Sequence, residues 1–159
     1  MVVLYSAAGQ VIFRFTYNQN IASTDGGGRT LVRVLSSTNP NPYTYLWRAS
    51  TQVNGNPGTT DAVVFTGSPL ADNDGDGVPA LVEYAAGSSD NNPSSRPPPP
   101  QFVFNLNGTV SVTYPILPNA DDVVCIVETT TTPASGWVPL TGSVATSPSR
   151  FFRLNVTTR

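Results

Sequence analysis

Three aspartates alternate with single residues at Asp72, Asp74 and Asp76; Gly77 follows them and Glu83 closes the run. Carboxylates at every second position of a tight loop aim at one centre, and three so close together repel one another unless a cation sits among them. The run matches D-x-D-x-D-G-x5-E at every specified position. That is the spacing by which oxygen ligands wrap Ca2+, which takes about 6–8 of them. Gly77 permits the sharp turn, Val78 offers its backbone carbonyl, and Glu83 reaches back from a following helix to close the shell with both oxygens. The plainer alternative is a solvated acidic turn of the kind aspartate-rich loops form. Agreement over the whole loop, in a chain with ten acidic residues, favours the ion. Pro79 lacks the N–H that would pair with a second such loop, and there is one loop only, so the pattern predicts an isolated structural calcium site.

Other chemistries drop out by inventory. The 159 residues include no His, and all eight basic residues are Arg. Imidazole catalysis and ligation, Schiff bases and the phosphate-loop lysine are thereby excluded. Cys125 is the single cysteine, in the apolar run Val123–Val127, and reads as a buried strand thiol. A net charge of −2 gives no field for nucleic acid, and no apolar run is long enough to span a membrane. Asp25, Asp61, Asp90, Asp121, Asp122 and Glu128 remain as candidates for a catalytic carboxylate pair; nearly all sit in turn-like surroundings, so no enzyme activity is expected.

The elements that must position the acidic loop are mostly strands. With 13 Gly and 15 Pro, the composition predicts an all-β fold of small β-sandwich units, with one short helix after the loop. Strands are expected at Val2–Tyr5, Gln10–Tyr17, Thr30–Leu35, Tyr43–Trp47 and Ala62–Phe65. The opening Met1–Tyr5 reads as a strand already in progress, without the basic start of a signal peptide. The helix begins at Pro79 and stops at Gly87. Further strands are expected at Gln101–Leu106 and Thr109–Tyr114 around the Asn107-Gly108 hairpin, then at Asp122–Glu128, Trp137–Leu140 and Arg150–Thr157. The chain divides into 1–67, a partial sandwich; 68–96, the calcium loop, helix and linker; and 97–159, the Pro97–Pro100 spacer and a small terminal sandwich.

Two resemblances extend this reading. The segment DNDGDGVPALVEYAAG resembles the calcium loops of dockerins and of thrombospondin type 3-like repeats, which implies calcium ligation by Asp72, Asp74, Asp76 and Glu83. The pieces LYSAAGQVIFRFTY, TDGGGRTLVRV and LWRAS resemble the C-terminal part of a lamin tail domain, an immunoglobulin-like sandwich; the first half of that domain has no counterpart here. The whole arrangement, ending SRFFRLNVT, is similar to the C-termini of large bacterial surface proteins, a family with no catalytic residues to transfer. It implies a non-enzymatic structural or adhesive protein at the cell surface, outside the cell where calcium is plentiful. Its expected partners are further copies of itself or neighbouring surface proteins: Val2–Tyr5 with Gln10–Tyr17 would form an exposed sheet edge that either propagates into filaments by strand addition or is covered by strands lying upstream in a longer protein. The alternative is a carbohydrate-binding accessory module of a secreted enzyme, with glycans stacked on Trp47, Trp137, Tyr43, Tyr45 or Tyr114.

Overall fold

The structure is a computed structural model that describes residues 2–15, 24, 26–34 and 47–159. Among the described residues it is all-β with one short helix, as the composition predicts, and the chain divides into two compact units, residues 1–64 with Arg159, and residues 65–158. The expected strand at Tyr43–Trp47, apart from Trp47, lies outside the described residues, as do Asp25 and the Asn39–Pro42 turn.

In the first unit, β1 (Val2–Tyr5) pairs antiparallel with β2 (Val11–Phe15), and β3 (Arg29–Arg33) with β4 (Trp47–Val53). The β3–β4 register slips between Arg29 and Leu31. At the slip, the buried Ser50 hydroxyl accepts the Thr30 amide at 3.0 Å, while Arg29 Nη1 donates to the Ser50 carbonyl at 2.7 Å. Side chains thus replace the ladder bonds that the irregularity removes. Asp61 fastens the outer side of β4. It accepts from the Thr51 hydroxyl at 2.6 Å and pairs with Arg48, whose side chain is 12% exposed against 3% for the aspartate. Burial opposes ionisation of Asp61, but the Thr51 and Arg48 bonds outweigh it and hold its carboxyl below the ordinary value. The expected strand at Ala62–Phe65 is reduced to a single bridge residue, Val63. Val63 and Val64 are both exposed, so the β-branched run has no buried face to hold it in a sheet.

The second unit is sandwich-like. One sheet has the order β5 (Gln101–Phe104), β6 (Thr109–Thr113), β9 (Ser143–Ala145); the other has β10 (Phe151–Thr158), β7 (Val123–Thr130), β8 (Val138–Pro139). Phe102 of the first meets Phe152 of the second edge to face at 5.9 Å. The Asn107-Gly108 hairpin forms, with a longer turn than its dipeptide implies. Gly108 donates to the Asn105 carbonyl at 3.1 Å and Asn105 to the Thr109 carbonyl at 2.8 Å, so β5 stops at Phe104 rather than Leu106. The β1–β2 turn repeats the device at Ser6, Gly9 and Gln10, with Gly9 and Gly108 both at positive φ.

Helix α1 (Ala80–Ala86) starts after Pro79 and ends at Gly87, whose φ of 79° is the left-handed stop that only glycine adopts freely. Leu81 and Ala85 bury against Val123 of β7, with Phe65, Tyr84, Ala120, Cys125 and Val156 around them. Cys125 is half-buried rather than fully buried. Asp122 ties this core together, accepting the Phe65 amide at 2.7 Å and the Tyr84 hydroxyl at 2.6 Å. The Ser88–Arg96 segment, expected to be an open linker, is a chain of turns closed by Ser89, Asn92 and Ser95 hydrogen bonds. Pro97–Pro100 runs extended, as four prolines must, but borders a hollow shared with Val82 and Ala86 of α1 and Leu154 of β10.

Candidate metal centre

The acidic loop leads into α1, and its own backbone shapes it. Asp72 is the organiser: Oδ1 accepts the Gly75 amide at 2.8 Å and the Asp76 amide at 3.1 Å, and Oδ2 accepts the Gly77 amide at 3.0 Å. Asp74 Oδ1 accepts the Asp76 amide at 3.2 Å, and Asp76 Oδ1 the Val78 amide at 2.8 Å. These bonds curl the loop until one oxygen from each of Asp72, Asp74 and Asp76 lies within 4.8 Å of the others. Gly77 takes φ 90° at the turn.

Glu83 is the most telling side chain of the group. It is 0% exposed, in a helix whose other buried residues, Ala80, Leu81 and Ala85, are apolar. Its Oε1 accepts the Ser88 hydroxyl at 2.9 Å, while Oε2 is buried with no hydrogen-bond partner. Asp74 Oδ2 is in the same condition; Asp76 Oδ2, on a side chain 0% exposed, also lacks a hydrogen bond and has only the Arg96 guanidinium as an ion-pair neighbour. Burial pushes the Glu83 carboxyl above its ordinary value; the Ser88 bond opposes this, and the charges of Asp74, Asp76 and Asp90 push it further up. Buried carboxylate oxygens without donors are strongly disfavoured in a folded protein. A cation is the partner that satisfies several of them at once.

The geometry brings Asp72, Asp74 and Asp76 together and puts Glu83 within electrostatic reach of the last two. At Val78 the amide is committed to Asp76 Oδ1. The donors are all hard oxygens, which suits Ca2+ or Mg2+ rather than a softer metal. Three participants escaped the sequence pattern. Ser88 holds one Glu83 oxygen; Asp90 adds charge and accepts the Asn73 amide at 3.1 Å; Arg96 donates to the Asp76 carbonyl at 2.7 Å and lies 3.3 Å from Asp76 Oδ2. Asp90 and Ser88 follow closely enough to be suspected from sequence, whereas Arg96 arrives only because the turns of Ser88–Arg96 fold the chain back.

Three further acids are tied into the fold. Asp61 pairs with Arg48, Asp122 with Phe65 and Tyr84, and Glu128 with Arg153 at 2.7 Å and Asn155 at 3.2 Å. Of the aromatic platforms, Trp137 carries the Arg153 guanidinium 4.4 Å over its ring, and Tyr43 and Tyr45 lie outside the described residues. No helix among the described residues is long and apolar enough to cross a membrane. No protein-family model, curated protein or solved structure matches the chain.

Proposed function

We propose that this is a non-enzymatic extracellular structural or adhesive protein whose second unit is clamped by calcium. Asp72, Asp74, Asp76, Glu83 and the Val78 carbonyl would hold the ion. The observation that carries this reading is the pair of buried, unpartnered oxygens at Asp74 and Glu83, beside an Asp76 oxygen that has an ion-pair neighbour but no hydrogen-bond donor, at positions the loop spacing assigns to calcium. Glu83 belongs to the helix whose Leu81 and Ala85 form the core, so an ion held there stabilises the packing of the unit. A single loop with no partner loop suits the millimolar calcium found outside cells. The role in assembly rests on the β1–β2 hairpin, whose Leu4, Tyr5, Val11 and Ile12 are exposed and invite strand addition by a second copy. The resemblances to a lamin tail and to dockerin loops point the same way.

Melting the chain in calcium and in EDTA tests the ion. The calcium curve lies higher if the site is right, and coincident curves remove the assignment. Electron microscopy at rising concentration tests assembly: ordered polymers support it, and a monomer throughout excludes it.

A further inference from the structure

A second site lies away from the acidic loop, in a cleft of about 440 Å³ in the sandwich-like unit. Phe102 and Phe104 of β5, Val110 of β6, Tyr114 and Phe152 of β10 line it, and Arg150 stands among them. Val110 is buried at 4% exposure, whereas Phe104 at 73% stands open to solvent. The volume falls in the range of small-molecule sites, about 300–1,000 Å³, and an apolar wall with one or two polar groups is their usual make-up.

Arg150 is what gives the cleft a chemistry. Its Nε is buried and has no hydrogen-bond partner among the described residues. Other arginines here are engaged: Arg29 with two carbonyls, Arg48 with Asp61, Arg96 with Asp76 and Arg153 with Glu128. A guanidinium remains charged in any protein, and its planar fork matches a carboxylate. We propose that the cleft binds an elongated apolar monocarboxylate, the class of arylalkanoates and fatty acids, with the carboxylate on Arg150 and the tail against Phe102, Phe104 and Phe152. One cation among aromatic walls favours a singly charged head over a phosphate or a dicarboxylate. The apolar hairpin of a second copy is a poorer occupant: β1 and β2 carry Arg14 and no acid, which would set like charges together.

Calorimetric titration of the full chain with 6-phenylhexanoate and with 6-phenylhexan-1-ol tests this. The acid should bind about tenfold or more tightly than the alcohol, the usual size of a charge-assisted contact. Arg150→Gln should erase that preference while leaving the alcohol within about twofold, and Phe104→Ser should weaken both. Because Phe104 is largely exposed, its variant folds regardless and locates the site even if Arg150→Gln does not fold. Equal binding of acid and alcohol, no binding of either, or a preference that survives Arg150→Gln overturns the proposal. So does an oligomer that Phe104→Ser converts to monomer, since a second copy would then own the cleft.

Discussion

Replacing Glu83 by glutamine should change stability in opposite directions with and without calcium. Glutamine keeps the size of the side chain and an oxygen to accept the Ser88 hydroxyl. It removes the charge that burial and Asp74, Asp76 and Asp90 disfavour. In EDTA, Glu83→Gln should therefore melt higher than the unmodified chain. In calcium the order reverses. An ion at one hundred times its dissociation constant adds about 2.7 kcal/mol, which for a domain of about 60–100 residues raises Tm by roughly 10–20 °C. If losing the bidentate ligand weakens binding about a hundredfold, the same calcium adds only about 0.4 kcal/mol. Scanning calorimetry of both proteins in both buffers gives four melting points, and the reasoning requires the two pairs to cross. A variant that melts lower than the parent by the same amount in EDTA as in calcium would refute it, because Glu83 would then be a packing residue and nothing more.

Without calcium, stability should fall as pH rises from the ordinary carboxylate range toward neutrality: the folded Glu83 pKa is raised, so its contribution is complete below the unfolded pKa and is lost above the folded one. Urea melts in EDTA at several pH values read this directly, and calcium should flatten the decline. Arg48→Ala should destabilise the first unit by about 3 kcal/mol by taking the guanidinium away from the buried Asp61 carboxylate, seen as a lower urea midpoint. Gly87→Ala should cost about 1–2 kcal/mol in the second unit, since its backbone is left-handed and the added methyl would meet Leu117 Cδ1 at 3.3 Å. Thermal melts of that variant check it.

Local signals carried most of what could be read in advance. The Pro79 start and Gly87 stop of the helix and the Gly108 hairpin are properties of neighbouring residues, and the chain obeys them. The acidic loop was legible for the same reason, since its aspartates and its closing glutamate fall within one turn and one helix. What sequence could not give was long-range. Arg96 reaches Asp76 across 20 positions, and Asp122 reaches Phe65 across 57. The Ser88–Arg96 stretch looked like a spacer because its polar residues and Pro93 resemble one; their mutual hydrogen bonds make it a compact strap. The Ala62–Phe65 run failed as a strand because β propensity needs a face to bury.

The Asp122 carboxylate also sets an order of events for a chain made from its N-terminus. Tyr84 and Asp122 are 38 positions apart, so at about 5–20 residues per second the aspartate leaves the ribosome about 2–8 s after the tyrosine it will hold. In that interval α1, seven residues long, has neither Asp122 nor Val123 to lie against, and a helix so short does not persist by itself. The helix that carries Glu83, the last of the twelve residues from Asp72, therefore gains the partner for its Leu81 and Ala85 only when β7 arrives.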